Sequence, residues 1–270
     1  MRAGKTFGII SLKGGVGKTT LAVNLAASLA HDYDKKVLLV DANLSSPHAS
    51  LHLGIVPTQA TLHHVLADKA QPHQAVYAHY DNLHVLPASL VHMHVDPLKL
   101  KQKLAPLRKQ YDYILIDSSP LLNEELRGVM HASDSLLVVS TPDQATLSTT
   151  LRAVKLAKEK HTPILGLVLN KVRGKSYELQ KSMIEQAANV PILAVLADDQ
   201  KVLEALTKVK PLTHYRPMNK TAQGIKQLAA TISGEVYQKP SMMARFFAYL
   251  RDDFDNFRNH DFKTGPQYYR

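Results

Sequence analysis

The sequence contains no cysteine and no tryptophan, and none of its apolar runs is long. Without cysteine, the chain forms no disulfide bond and offers no thiolate to a zinc ion or an iron–sulfur cluster. No segment has the roughly 20 consecutive apolar residues that a membrane-spanning helix needs. The first apolar run, residues 7–12, is too short for a signal peptide. We therefore expect a cytoplasmic protein, or one that lies peripherally on the inner face of the cell membrane.

The composition is that of a soluble globular protein with a sizeable core. Of the 270 residues, 45% are hydrophobic and 21% are charged, which is close to the average for folded domains. The formal net charge of +10 is compatible with binding to nucleic acid or to an anionic membrane. Because the lysines are scattered along the chain, charge alone does not choose between these partners and an ordinary solvated surface.

Apolar runs that are typical of buried strands alternate with stretches of helical period. This alternation predicts βαβ units around a mainly parallel twisted sheet. Predicted strands lie near residues 6–11, 37–40, 83–87, 113–117, 136–140, 164–169 and 192–196, and predicted helices include residues 19–30, 98–109 and 218–232. The composition changes near residues 234–240, so we predict one domain over residues 1–235 and a tail over residues 236–270.

A phosphate-binding loop is the clearest chemical signal. The first predicted strand leads into eight residues that we call the octet, and a stretch of helical period follows. The octet consists of Lys13, Gly14, Gly15, Val16, Gly17, Lys18, Thr19 and Thr20. Glycines let the backbone turn until several N–H groups point at one anion, and the helix N-terminus adds its positive dipole. In such a loop the amine of Lys18 reaches the phosphates, and the hydroxyl of Thr19 ligates Mg²⁺.

The octet resembles the deviant Walker A loop of the MinD/ParA family of ATPases, although the strict Walker A pattern has glycine at the position of Leu12. The resemblance covers about residues 7–232 and implies the three-layer α/β/α sandwich of a P-loop NTPase, with ATP and Mg²⁺ as cofactors. It also implies a homodimer that forms on ATP binding, in which Lys13 contacts a phosphate held by the other subunit. Residues 44–54 and 212–222 look more like MinD-type members than like ParA.

Two aspartates follow predicted buried strands. Asp117 is predicted to hold Mg²⁺ together with Thr19, as a Walker B aspartate does. The resemblance implies that Asp41 is catalytic and orients the attacking water; the alternative is a helix cap or a turn. Asn43 stands where many relatives have a second acid, and Leu121 stands where they have glycine. These departures predict unusual hydrolysis or switch coupling, with nucleotide binding retained.

Asn170 follows the predicted strand at residues 164–169 and can pair with a purine edge as both donor and acceptor. GTPases have an aspartate three residues later, where this chain has Arg173, so the predicted nucleotide is ATP. The resemblance also places the base against the loop that contains Asp198 and Asp199. For these two aspartates, the N-cap of a helix is the alternative interpretation.

The fourteen histidines, which include His63, His64, His92 and His94, raise the question of a metal site. They are spread along the chain and lack carboxylates at the spacing of metal ligands. We therefore expect histidines at the surface or partly buried, rather than metal ligands.

The tail is predicted to form an amphipathic helix whose apolar face consists of Met242, Met243, Phe246, Phe247, Leu250, Phe254 and Phe257. Bacterial MinD proteins end in a helix of this kind, which binds membrane when the protein is an ATP-bound dimer. Residues 241–258 are therefore predicted to contact an anionic membrane. Because Asp252, Asp253 and Asp255 would repel anionic lipid, packing against the domain or a partner stays open.

The sequence thus predicts an ATP-gated dimerisation switch in spatial positioning, such as the placement of the division site, with an activating protein partner. One alternative is a ParA-like ATPase that binds DNA non-specifically in chromosome or plasmid partitioning. A second alternative is a bacterial-type tyrosine kinase, suggested by Tyr268 and Tyr269, although those enzymes lack the early lysine. Reductase relatives that hold an iron–sulfur cluster are excluded because the chain has no cysteine.

Overall fold

The computed structural model describes residues 3–80, 82–239 and 241. Its first compact unit spans residues 1–235. The described strands of this unit are β1 (Lys5–Ile10), β2 (Val37–Ala42), β3 (Tyr77–Tyr80), β4 (Leu83–Leu86), β5 (Tyr113–Ser118), β6 (Ser135–Ser140), β7 (Ile164–Val172) and β8 (Ile192–Ala197). They form one sheet in the order β3-β4-β2-β5-β1-β6-β7-β8. Each neighbouring pair is parallel except β3 and β4, so the sheet is mainly parallel as predicted.

The described helices are α1 (Lys18–His31), α2 (Leu62–Leu66), α3 (Leu100–Leu104), α4 (Glu124–Ala132), α5 (Gln144–Glu159), α6 (Lys181–Ala188), α7 (Gln200–Thr207), α8 (Leu212–Tyr215) and α9 (Lys220–Ser233). Short 3₁₀ helices lie at Leu51–Leu53, Pro72–Ala75 and Pro97–Lys99. In the described part of the chain, no helix is both long enough and apolar enough to cross a bilayer.

Two hydrophobic cores lie on opposite faces of the sheet, because side chains alternate along each strand. In β1, Phe7 and Ile9 belong to the core shared with α1 and α9. Ile10 belongs to the other core, which includes buried residues of α4 and α5. Helices therefore cover both faces, and the predicted three-layer α/β/α sandwich is confirmed.

Two elements differ from the prediction. The antiparallel edge strand β3 was not predicted, because it is only four residues long and its sequence lacks an apolar run. The helix predicted over residues 98–109 is a 3₁₀ turn followed by α3, which ends at Leu104. Pro106 has no N–H with which to continue the helical hydrogen bonds, so the helix stops there.

The second unit spans residues 236–270, of which the structure describes 236–239 and 241. The predicted amphipathic helix and membrane contact at residues 241–258 lie outside the described residues, apart from Ser241. Tyr268 and Tyr269 also lie outside them.

Candidate functional site

Three neighbouring strands bring the predicted phosphate and metal residues to one edge of the sheet. Asp117 in β5 is in register with Asp41 in β2 on one side and with Ile9 in β1 on the other. Because these strands are parallel, the loop that follows β1 begins beside both carboxylates. Ligands of open parallel sheets bind at this edge, outside the carboxyl ends of the strands.

The loop between β1 and α1 is shaped by glycines in the left-handed region, with φ 75° at Gly15 and 95° at Gly17. L-residues rarely adopt such angles. A Cβ atom on Gly17 would also lie 2.4 Å from Nδ2 of Asn170, whereas one on Gly14 or Gly15 would meet nothing within 4 Å. Gly17 therefore supplies both the turn and the space for Asn170, and the backbone at Gly14 and Gly15 is open to a ligand.

The N-terminus of α1 has no side-chain cap and no acidic residue in its first turn. Its N–H groups and the positive end of the helix dipole thus favour an anion. Lys18, the first residue of α1, is only 7% exposed. Burial lowers the pKa of Lys18, and the charge of Asp117 opposes that shift. A buried amine beside an uncapped helix N-terminus is an arrangement that suits a phosphate.

The donor set around Asp117 fits Mg²⁺. Thr19 donates its hydroxyl to Oδ2 of Asp117 at 2.6 Å. Three buried side-chain oxygens, at or directly after the ends of β5 and β2, have no hydrogen-bond partner among the described residues. They are Oδ1 of Asp117, Oγ of Ser118 and Oδ1 of Asn43. Burial, together with the charge of Asp41, raises the pKa of Asp117 to about 7. Mg²⁺ prefers oxygen ligands and is often held by one or two carboxylates together with substrate phosphates.

Asp41 is fully buried and fastens the loop that follows β2. Its Oδ1 accepts the N–H of Asn43 at 3.2 Å, and its Oδ2 accepts the N–H groups of His48 and Ala49, both at 2.9 Å. Burial raises the pKa of Asp41 to about 7 in spite of these bonds. The carboxylate therefore lies where the prediction needs it, beside Asp117, and its role in orienting water stays a prediction.

Lys13 is held by two residues of its own chain. Its Nζ donates to Oδ1 of Asp143 at 3.1 Å and to Oγ1 of Thr146 at 2.6 Å. Asp143 is also the N-cap of α5, where it accepts the N–H of Thr146 at 2.9 Å, and it accepts the hydroxyl of Thr141. Burial acts to raise the pKa of Asp143, but the hydrogen bonds from Thr141, Thr146 and Lys13 outweigh it and hold the pKa well below its usual range.

A cavity of about 620 Å³ lies beside the phosphate loop, between the ends of β7 and β8 and the start of α1. Gly17, Thr20, Asn170 and Asp198 all line it. Nδ2 of Asn170 donates to the carbonyl of Val16 at 2.7 Å, which ties this cavity to the phosphate loop. The structure thus brings the residues predicted to bind the base together with those predicted to bind the phosphates.

The two aspartates after β8 have different surroundings. Oδ2 of Asp198 accepts Nε–H of Arg173 at 2.7 Å. Asp199 is the N-cap of α7, where it accepts the N–H of Lys201 at 2.8 Å, so it takes the alternative role considered for it. The Arg173–Asp198 pair and the contact of Lys13 with Asp143 were not predicted from the sequence. The partners are 25 and 130 residues apart, and no local pattern signals them.

Two of the described histidines, His63 and His84, form hydrogen bonds inside the protein. Nδ1 of His63 accepts the N–H of Ser89 at 2.9 Å, and Nδ1 of His84 lies 2.7 Å from the hydroxyl of Tyr111. Burial lowers the pKa of both imidazoles. His63 is only 2% exposed, so it is more buried than predicted. Across the described ranges, no group of three or more histidine, cysteine or acidic residues could hold a metal ion.

The chain is similar to known proteins that are described as ATP-binding proteins or as MinD. A family profile described as an AAA domain matches residues 4–166. An uncharacterized ATP-binding protein of Methanocaldococcus jannaschii is 31% identical over 247 residues, which cover 88% of this chain and 93% of that protein. The crystal structure of the Pyrococcus furiosus cell division ATPase MinD is 34% identical with a TM-score of 0.81, covering 86% of this chain and 99% of that one. The septum site-determining protein MinD of Pyrococcus horikoshii, complexed with Mg-ADP, is 31% identical with a TM-score of 0.80, covering 84% and 95%.

Proposed function

Because this chain belongs to the AAA domain family whose profile matches residues 4–166 and, within it, to the MinD/ParA-type ATPases, we propose that it is a Mg²⁺-dependent ATPase and an ATP-gated dimerisation switch. The observation that carries the proposal is one cluster at the sheet edge. There the uncapped N-terminus of α1 and buried Lys18 adjoin the hydrogen-bonded pair of Thr19 and Asp117.

The phosphates of ATP would lie on the backbone N–H groups of residues 14–20, with Lys18 neutralising their charge. Adenine would enter the cavity lined by Asn170 and Asp198. Thr19 and Asp117 would hold Mg²⁺, which neutralises charge on the β- and γ-phosphates when bound. Together these groups fix the triphosphate in one orientation, as phosphoryl transfer requires.

Asp41 is the residue that would orient the attacking water. Its Oδ2 accepts two N–H groups and its Oδ1 accepts one, so Oδ1 keeps more capacity to accept a further bond. The same carboxylate fastens the loop that contains Asn43 and His48. A water bound to Oδ1 would therefore link the γ-phosphate to the position of that loop.

Lys13 would complete the site of a second subunit. In the single subunit its amine is bound to Asp143 and Thr146, at the rim of the loop rather than inside it. We propose that it exchanges these partners for a phosphate held by the other subunit, so that two ATP molecules join two subunits. Hydrolysis would remove that phosphate and let the subunits separate.

Isothermal titration with ATP and Mg²⁺ tests the binding part of the proposal. Lys18→Ala should weaken ATP binding roughly 10- to 150-fold, because a charged hydrogen bond contributes about 1.5–3 kcal/mol. Lys158→Ala is the matched control, since Lys158 is an exposed lysine of α5 that lines neither the phosphate loop nor the base cavity. Equal ATP affinity in Lys18→Ala and the wild type would contradict the proposal.

The output we propose is spatial positioning, such as division-site placement, from the cytoplasm or the inner face of the cell membrane. Similarity to proteins described as a cell division ATPase and a septum site-determining protein supports it. An activating protein partner and an anionic membrane contact at residues 241–258 belong to the same proposal.

ATPase activity and sedimentation, each measured with anionic liposomes and with DNA, test this output. Full-length protein should sediment with liposomes when ATP is present, and a chain truncated after Lys239 should not. Salt-sensitive DNA binding that survives the truncation would instead favour a partitioning ATPase of the ParA type.

A further inference from the structure

His48 lies in the loop that follows β2, next to the carboxylate that fastens this loop. Its backbone N–H donates to Oδ2 of Asp41 at 2.9 Å. Asp41 is in register with Asp117 on the neighbouring strand β5, and a positive charge on the imidazole of His48 acts to lower the pKa of Asp117. The backbone of His48 is therefore fixed beside the two carboxylates, whereas its side chain is exposed and can reach a ligand.

The imidazole of His48 is held in one tautomer by its contact with the same loop. Its Nδ1 lies 2.7 Å from the backbone carbonyl oxygen of Ser46. Because a carbonyl oxygen can only accept a hydrogen bond, Nδ1 carries the proton, and Nε2 of the neutral ring carries a lone pair. Among the described residues, this ring forms hydrogen bonds through Nδ1 alone, so the lone pair of Nε2 can accept a proton.

The carbonyl oxygen of Ser46 also positions the side chain of Asn43. Nδ2 of Asn43 donates to it, and Oδ1 of Asn43 is buried without a hydrogen-bond partner among the described residues. An amide oxygen can accept a hydrogen bond from water, but the amide is not a titratable group. Of the two side chains that are joined through Ser46, His48 is therefore the one that can act as a base.

Asp41 can orient the attacking water without taking its proton. The two oxygens of its carboxylate accept the N–H groups of Asn43, His48 and Ala49. Such bonds favour the ionised carboxylate, so a proton on Asp41 would weaken them and loosen the loop. A proton on Nε2 of His48 leaves all three bonds in place.

We propose that His48 is a catalytic residue of the ATPase reaction, in which Nε2 accepts a proton from the water that Asp41 orients. The oxygen of that water bonds to the γ-phosphorus while the bond from this phosphorus to the β–γ bridging oxygen breaks, and the electron pair of the broken bond stays on ADP. The proton on Nε2 then passes to the released phosphate, which restores the neutral ring. This inference rests on the proposed function, because it names the base of that reaction.

The test is ATP hydrolysis by the full-length chain, measured as phosphate release at saturating ATP and Mg²⁺, together with the dissociation constant for ATP from isothermal titration. His48→Ala should lower kcat about 100-fold or more, because general acid–base catalysis contributes about 10²–10⁴-fold. Its ATP affinity and Tm should match those of wild type, since the side chain that is removed is exposed. Free imidazole added to the solution should restore part of the lost rate.

Two further variants separate the chemistry of His48 from the position of its loop. In His48→Asn the amide nitrogen can donate to Ser46 as Nδ1 does, but the side chain has no base, so this variant should be as slow as His48→Ala. His131→Ala is the matched control, because it removes an exposed histidine in the last turn of α4. It should keep the wild-type rate, with and without imidazole.

The inference is overturned when wild type hydrolyses ATP and His48→Ala keeps its kcat. It is also overturned when His48→Asn has the wild-type rate or when imidazole does not accelerate His48→Ala, because the ring would then act only through the position of the loop. A wild type that binds ATP without hydrolysing it overturns this inference but not the binding part of the proposed function. A wild type that binds no ATP overturns the proposed function, and this inference with it.

Discussion

Asp41 and Asp117 are fully buried at adjacent register positions, which is an unfavourable place for two carboxylates. Burial penalises the ionised form of both carboxyl groups, and the charge of Asp41 further raises the pKa of Asp117. The pKa of each is accordingly raised to about 7. A site of this kind destabilises the nucleotide-free chain and is stabilised by a bound cation, because a ligand that binds only the folded state adds to its stability.

Asp117→Asn should therefore raise the stability of the Mg²⁺-free protein at pH 8. With a pKa raised from 3.8 to about 7, the folded chain binds more protons than the unfolded chain in this interval. The stability from the neutral carboxyl is complete below about pH 4 and is lost as the pH rises through about 7. In EDTA at pH 8 the Tm of the variant should exceed that of wild type by a few degrees, since about 1 kcal/mol corresponds to roughly 2–4 °C in a chain of this size.

Thermal melts from pH 5 to pH 8 check this sign, because the gap between variant and wild type should close as the pH falls. Adding Mg²⁺ and ATP should raise the Tm of wild type but not that of Asp117→Asn. A variant that melts below wild type at pH 8 in EDTA would show that Asp117 is not a strained carboxylate.

Gly17 offers a second prediction for a single residue. A side chain at this position would hold a strained φ of 95°, and its Cβ, 2.4 Å from Nδ2 of Asn170, would displace that side chain. Gly17→Ala should cost about 1–3 kcal/mol in the free energy of unfolding and abolish ATP binding. Gly14→Ala is the control for stability, because a Cβ there meets nothing within 4 Å and the backbone is not left-handed. Urea unfolding that gives the two variants equal stability would contradict this account of the loop.

Among the elements, α1 differs from several other helices because no side chain accepts a hydrogen bond from the first backbone N–H groups of the helix. Helices α4, α5, α7 and α9 begin at an aspartate or asparagine whose side chain accepts a backbone N–H: Asn123, Asp143, Asp199 and Asn219. Helix α1 begins at Gly17 with no side-chain cap. Uncapped N–H groups need another acceptor, and a phosphate of the proposed nucleotide would provide one.

The N-terminus of α5 holds Lys13, so a change there should alter dimerisation. Asp143→Asn keeps a side chain that can cap the helix but removes the charge that attracts Lys13. An exposed ion pair is worth about 0.2–1 kcal/mol, so dimerisation should need up to about fivefold less ATP in this variant. Analytical ultracentrifugation over a range of ATP concentrations measures the change.

Asp143 both caps α5 and binds Lys13. Asp143→Ala removes both contacts, whereas Asp143→Asn can keep the cap, and loss of the cap costs about 1 kcal/mol in the free energy of unfolding. If Asp143→Asn needed more ATP than wild type to dimerise, the contact with Lys13 would not be a restraint that dimerisation releases.

Elements with a simple local pattern were predicted well, and the others were not. Each long buried strand has a nearly continuous apolar run, so β1, β2, β5 and β6 were predicted within two residues of their observed ends. Strand β3 pairs at the sheet edge with half of its side chains exposed, and its four residues show no such run. Residues 98–109 have helical periodicity, but Pro106 limits the helix more than the periodicity indicates.

In the whole molecule, the predictable parts of the candidate site are those whose residues are contiguous or lie at the ends of predicted strands. The octet at residues 13–20 is contiguous, and Asp41, Asp117 and Asn170 each lie at the end of a predicted parallel strand. Their proximity therefore follows from the topology. The contacts of Lys13 with Asp143 and of Arg173 with Asp198 join distant segments, and they depend on how loops and helix ends pack in three dimensions. Most of the tail, residues 242–270, lies outside the described residues.

In the proposed dimer of the whole molecule, each nucleotide would be shared between two subunits. One chain provides the phosphate loop, the carboxylates and the base cavity, whereas Lys13 is bound to its own Asp143. In the proposed switch, this lysine would contact a phosphate only when a second subunit approaches, so the oligomeric state is the property to measure.

Size-exclusion chromatography with light scattering, applied to the full-length wild type and Lys13→Ala, tests this claim most directly. We predict twice the mass of one chain for wild type with ATP and Mg²⁺, the mass of one chain with ADP, and the mass of one chain for Lys13→Ala with either nucleotide. Equal dimerisation with and without ATP, or a Lys13→Ala variant that dimerises like wild type, would contradict it.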